Sequence, residues 1–340
     1  MMQSKRDIQL DMYRGLTMIY IVCWIHVIYG KFYGYDIIPP LKSFFLFEMP
    51  AIFFISGAAA RLARPKGEKE VMKNRFKRVY VPYFKYAFFS IIVFWTYEFF
   101  HYHIFPLSSF KQIVWGILGI ELPGVYHSYH LWFILPYFII SILPKQHLNS
   151  HRGGVALASN VLLVIMFEIL ENQFQEILDF RLYSVFKEVL VYNIFYLGGF
   201  LFYKRVTKKQ IRLLIFASLV LFLCLTPFYG HNMQANKFPP NLYFLAYGIC
   251  TLSILSLIFS YVKLPYNRVV GVYNKYGYGI YLYQGYFWYI GVVATWLVSR
   301  ILNISLPLWV SFFAYIFFIF VCGYVLGILS ENKIFKKLFL

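Results

Sequence analysis

The chain has 340 residues, of which 60% are hydrophobic and only 14% charged, with a mean hydropathy of +0.61. A soluble domain carries about 25% charged and about 45–50% apolar residues, so a single globular core would lack the polar shell it needs, and a multi-pass membrane protein is expected instead. The net charge of +18 falls in short loops between apolar runs, which makes it a topology signal and a place for an anionic ligand rather than a nucleic-acid surface.

A helix needs about 20 mainly apolar residues to cross the hydrocarbon core. That ruler places spans at 12–33, 43–63, 80–100, 128–144, 154–170, 187–203, 210–229, 241–262, 277–299 and 305–329, ten in all. The first, "MYRGLTMIYIVCWIHVIYGKFY", holds Arg14 near its start and His26 well inside. Twelve residues of helix put the imidazole about 18 Å beyond the guanidinium along the axis. The second span holds Glu48 near its far end, at a depth matching His26. A carboxylate beside an imidazole fixes its tautomer and raises its basicity, so His26 with Glu48 is the expected general base. Buried ionisable groups in lipid are functional candidates by default. The plain alternative is that each packs or caps within the bundle.

Ahead of the third span, "VMKNRFKRVYVPYF" (71–84) sets Arg75 and Arg78 three residues apart, on one face of a helix, and Pro82 marks the entry to the span. Two readings stand for this cluster. It is ordinary positive-inside charge in contact with anionic lipid, or it grips a phosphate-bearing ligand, which guanidinium forks suit. Between spans three and four, "SSFKQIVWGILGI" (108–120) has the pattern of a helix lying in the interface. The short fourth span opens on Tyr129, His130 and Trp132, which fit either the lining of a sugar path or an interfacial aromatic belt. His101, His103, His127 and His130 lie in or beside one loop, but without a carboxylate or cysteine in a recognised spacing, so no metal is expected. Cys23, Cys224, Cys250 and Cys322 all fall within apolar runs, which argues against a disulfide framework or a zinc ribbon.

The loops give an orientation. Lys5 and Arg6, the eight basic residues from Arg61 to Arg78, Lys145 and Arg152, Lys204 to Lys209, Lys263 to Lys275, and Lys333 to Lys337 mark alternate loops, and the loops between them are nearly free of Lys and Arg. The positive-inside rule then predicts both termini in the cytoplasm and an even number of spans. No internal repeat, signal-peptide cleavage site or soluble accessory region is evident, so residues 1–340 read as one integral-membrane domain, an all-α polytopic bundle of about ten helices.

At these residues the chain resembles the membrane acyltransferase-3 family. "LDMYRGLTMIYIVCWIH" (10–26) resembles its first-helix opening, "FFISG" (53–57) its second-helix signature, and "RFKR…PY" (75–83) its Arg-x-x-Arg motif. "YHLWFILPYFI" (129–139) and "YGYGIYLYQG" (276–285) resemble two later segments, and the order is kept throughout. The resemblance implies transfer of an acyl group, most often acetyl, from acyl-CoA to a hydroxyl of a sugar or polysaccharide. It implies His26 as the catalytic histidine, and Arg14, Arg75 and Arg78 as residues serving the acyl donor. The implied partners are acyl-CoA, a glycan acceptor, the bilayer and proteins of glycan synthesis, and the implied location is a bacterial inner membrane. In the family pattern the first-helix Arg and His stand eleven positions apart, which leaves them within about 20° on a helix. Here they stand twelve apart, about 120°. Either a π-bulge absorbs the extra residue or the two do not face one site. The family's late-helix histidine is replaced here by Gln284, which can hold a substrate hydroxyl but cannot titrate. Two other functions fit the same composition: a transporter or exporter of a saccharide or lipid-linked precursor, against which the lack of two related halves counts, and an acyltransferase for a small-molecule or lipid acceptor.

Overall fold

A computed structural model describes residues 7–31, 43–63, 67–103, 129–143, 150–171, 173, 180–262, 265–303 and 307–339. Most of these residues are helical, and among them there is no β-strand beyond an isolated bridge between Lys237 and Pro240. In chain order the helices are α1 (Ile8–Ile19), a π-helical segment (Tyr20–Ile25), α2 (His26–Lys31), α3 (Glu48–Leu62) and α4 (Glu68–Tyr102). A 3₁₀ turn (Tyr129–Phe133) leads into α5 (Ile134–Ile142), followed by α6 (Ser150–Ile169), α7 (Phe180–Phe202), α8 (Lys208–Tyr229) and α9 (Leu242–Phe259). The chain ends in α10 (Arg268–Leu302), α11 (Leu308–Leu329) and α12 (Lys333–Phe339).

Five stretches within these helices are long and apolar enough to cross a membrane: His151–Ile169, Leu182–Phe202, Lys208–Tyr229, Leu242–Phe259 and Trp309–Leu329. The other expected spans take different forms. The first is one helical run broken in register by its π segment. The fourth is short, with only nine residues in α5. The expected interfacial helix at 108–120 lies outside the described residues. The third span starts twelve residues before its expected edge at 80, because α4 is a single helix of 35 residues with Pro82 inside it. Pro82 therefore does not mark a helix entry. It lacks the N–H that would bond to the Arg78 carbonyl, and the helix continues across that missing rung. The sixth span also begins earlier than expected, at Phe180, because Lys187 and Glu188, which interrupt its apolar run, are buried with polar partners.

The chain divides into two compact units. Unit one comprises Met1–Thr17, Phe32–Glu68 and Ile139–Tyr266. Its centre is the pairing of α3 with α7, which glycine permits. A Cβ on Gly57 would stand 1.8 Å from the Tyr196 carbonyl oxygen, and one on Gly199 would stand 1.9 Å from the Phe54 carbonyl oxygen. Small residues at both crossing points let the two backbones touch, as in membrane helix pairs generally. The ring of Phe53 stacks on Tyr192 at 4.8 Å. Capping holds the helix starts. Thr207 and Gln210 form a reciprocal capping box on α8, and Asn241 caps α9 by accepting from the Phe244 N–H at 3.0 Å.

Unit two comprises Met18–Lys31, Lys69–Phe138 and Asn267–Leu340. Here α4 and α10 run in the same direction and are joined by tyrosines. The Tyr278 hydroxyl donates to the Val79 carbonyl at 2.9 Å, and the Tyr286 hydroxyl donates to Ser90 at 2.8 Å. Between these rungs Tyr86 meets Tyr283 edge-on at 5.3 Å. Tyr273 ties α10 to α11 by donating to the Phe320 carbonyl at 2.9 Å.

Candidate active site

His26 is the first residue of α2, immediately after the π turn. The turn is anchored on both sides within unit two. Trp24 meets Phe312 of α11 edge-on at 5.9 Å, and the Cys23 thiol lies 3.7 Å from the Tyr273 hydroxyl of α10. Gly277 of α10 lets Met18 in close, since a Cβ there would fall 2.7 Å from the methionine side chain. The imidazole is half-buried against one face of α10. Its ring centroid lies 5.7 Å from those of both Tyr281 and Trp288, and Nδ1 is 3.1 Å from Oε1 of Gln284. Residues 281, 284 and 288 follow the i, i+3, i+7 spacing of one helical face, so one straight stretch of α10 supplies both walls and the hydrogen-bond partner. Phe133, at the end of the 3₁₀ turn, backs Tyr281 edge-on at 5.3 Å. Trp132 sits half-buried beside Phe133, with ring centroids 6.3 Å apart. Tyr129 and His130 belong to the same turn, but their side chains lie outside the described residues.

Arg75 and Arg78 stand on one face of α4, the first half-buried and the second exposed. The residue after Arg78 is Val79, whose carbonyl takes the Tyr278 hydroxyl. Tyr278 precedes Gln284 by six residues, about 9 Å along α10. Unit two therefore fixes the arginine pair and the imidazole to one framework.

Arg14 lies on α1 in unit one, with its guanidinium 3.9 Å from the Asp11 carboxylate one turn back. The π segment Tyr20–Ile25 lies between Arg14 and His26 and holds one residue more than the same length of α-helix would. Glu48 opens α3 in unit one and is buried. It is ion-paired with Lys237, which the 230–241 segment carries inward. Glu48 thus has an ion-pair partner inside unit one, and the imidazole has Gln284 inside unit two.

Sequence reading missed a further set of buried charges in unit one. Lys187 of α7 is 2% exposed and lies 3.5 Å from Glu168 and 3.8 Å from Glu171. Its neighbour Glu188 accepts from the Ser184 hydroxyl at 3.0 Å. The i, i+4 recurrence of Ser184, Glu188, Tyr192 and Tyr196 along α7 is a polar stripe inside an apolar helix, and that spacing was a usable signal. At the other end of unit one, Lys204 pairs with Asp7 at 2.8 Å. Burial alone would raise the Asp7 carboxyl, but the hydrogen bonds from Lys204, the Leu10 N–H and Tyr203, with the Lys204 charge, together hold it below 3.8. Among the described residues no group of three or more His, Cys, Asp or Glu side chains is arranged to hold a metal.

A family model described as an acyltransferase domain (acyltransferase-3) matches residues 7–328. The chain belongs to this acyltransferase family. No curated protein and no solved structure matched it. In this acyltransferase the matched region takes in the π turn, the arginine pair on α4 and the tyrosine-rich face of α10, so the features brought together in unit two all fall within the family's shared region.

Proposed function

We propose that this acyltransferase moves an acyl group, acetyl in the simplest case, from acyl-CoA to a hydroxyl of a sugar or polysaccharide, with His26 as general base. The observation that carries the reading is the α4–α10 framework. It holds two arginines suited to phosphate near one end and a walled imidazole further along α10. Acyl-CoA brings several phosphate charges at one end and a thioester at the other, joined by a flexible arm. Arg75 and Arg78 bind the phosphates in forked pairs, and Arg14 of the first helix serves the same donor. His26 accepts the proton of the acceptor hydroxyl, and the hydroxyl oxygen attacks the thioester carbonyl. The tetrahedral adduct collapses with cleavage of the carbon–sulfur bond, and the proton passes from the imidazolium to the departing thiolate of CoA. Trp132, with Tyr129 and His130, lines the approach of the acceptor.

In this reading the chain sits in a bacterial inner membrane with about ten spans. Both termini and the arginine pair lie on the cytoplasmic side, and the glycan-biosynthesis machinery supplies the acceptor from the other. Membranes containing the protein, supplied with radiolabelled acetyl-CoA and an oligosaccharide acceptor, test the proposal. His26→Ala lowers transfer by at least about 10²-fold, the usual contribution of a positioned base. Transfer at the wild-type rate in that variant removes His26 from the mechanism.

A further inference from the structure

A glutamine at position 284 has no obvious packing justification. Gln284 is 0% exposed, and while its Oε1 meets His26, its Nε2 has no hydrogen-bond partner among the described residues. An amide buried with half its hydrogen-bonding capacity unmet is destabilising, and a leucine or methionine of similar volume would avoid that cost. What the amide supplies in return is a single contact, on the imidazole. Two further neighbours on α10, Tyr281 and Trp288, meet the imidazole through their rings.

A neutral imidazole carries one proton, and the group bonded to one nitrogen decides where that proton stays. The amide presents its oxygen to Nδ1, so Nδ1–H donates to Oε1 and the lone pair is left on Nε2. The opposite orientation, with Nε2–H of the amide donating to Nδ1, would put the ring proton on the nitrogen that faces away from Gln284. His26 would then have no free lone pair to offer an incoming hydroxyl.

We propose that Gln284 is a positioning residue that holds His26 in the Nδ1–H tautomer and so makes Nε2 the nitrogen that accepts the hydroxyl proton. This rests on the reading of His26 as general base. It places the orienting group on α10 of the same unit and gives that role to an uncharged side chain. The groups facing the ring from α10 are Tyr281, Gln284 and Trp288, and the titratable group one turn back in the π segment is Cys23, itself bonded to Tyr273.

The test has a spectroscopic arm and a kinetic arm. In protein labelled with nitrogen-15 at its eight histidines, the His26 signals are assigned by their loss in His26→Ala. The expected wild-type spectrum shows a protonated Nδ1 and a bare Nε2. In Gln284→Leu the two tautomers mix, kcat for acetyl transfer falls by about 10- to 100-fold, the range seen when groups that orient a histidine are lost, and KM for acetyl-CoA stays within about threefold. Gln284→Glu keeps an acceptor at Nδ1, so it retains the tautomer. Its carboxylate favours the imidazolium, so the acidic limb of the pH–rate profile moves to higher pH. The role is overturned if Gln284→Leu leaves both the spectrum and kcat unchanged, or if the wild-type spectrum shows the proton on Nε2. Failure of the base itself reads differently, because His26→Ala would then transfer at the wild-type rate whatever the tautomer.

Discussion

At the residue scale, single ionic contacts in this protein carry weight in proportion to their burial. Glu48 and Lys237 are both almost fully enclosed, so removing one takes from the other its ion-pair partner in a poor solvent. Glu48→Gln or Lys237→Met alone is expected to cost about 3–5 kcal/mol, and the double variant less than either, because it leaves no stranded charge. Thermal unfolding in detergent, run as a double-variant cycle, measures this. Asp7 lies at the other extreme, near the water. Its carboxyl is lowered in the folded state, so its contribution is present above 3.8 and is lost as the pH falls through the lower folded value. The stability difference between wild type and Asp7→Asn is therefore small at neutral pH and vanishes in acid. At the candidate site, Arg75→Ala and Arg78→Ala each raise KM for acyl-CoA by about 10- to 100-fold, the worth of a charge-assisted hydrogen bond. Equal KM values in wild type and both variants would remove the phosphate role.

At the element scale, two features depend on local geometry and can be altered one residue at a time. The crossing of α3 and α7 leaves no room for a methyl at Gly57 or Gly199. Gly199→Ala forces the helices apart and is expected to destabilise by about 1–3 kcal/mol, whereas Gly154→Ala, whose Cβ meets nothing within 4 Å, is neutral in the same melt. The π segment offers a test of register. Deleting Val22 leaves Arg14 and His26 eleven positions apart in an unbroken α-helix, the spacing of the family pattern. Transfer is expected to survive that deletion better than insertion of an alanine beside Val22, which turns His26 by about 100°. The register mismatch was legible in the sequence because it needs only counting, and the structure has a π turn between the two positions. The true start of α7 was not legible. The run from 180 to 190 is broken by Arg181, Lys187 and Glu188, and only tertiary pairing with Glu168 and Glu171 makes a buried lysine tolerable there. Pro82 misled for the opposite reason. It is a strong local stop signal, but the contacts of Tyr80, Tyr83 and Tyr86 around it keep the helix going.

At the scale of the whole molecule, composition was enough to announce a helical membrane protein, and ordered motifs were enough to reach the family. The pairing of side chains was beyond it. His26 and Gln284 are 258 residues apart and Glu48 and Lys237 are 189 apart, and depth matching along single spans cannot reach partners so distant in the chain. The proposed topology makes a direct prediction. In a cysteine-free background, a cysteine at Lys208 is labelled only from the cytoplasm, and one at Gln234 only from outside. The opposite pattern inverts the orientation. The Glu48–Lys237 contact also bears on biogenesis. The second span leaves the ribosome with an acid whose counter-ion is still 189 residues from synthesis. Until that lysine is made, Glu48 lacks the cation it pairs with, so unit one cannot settle as its helices emerge. Nascent chains arrested at residue 220 should be open to membrane proteases, and chains arrested past residue 262 should resist them.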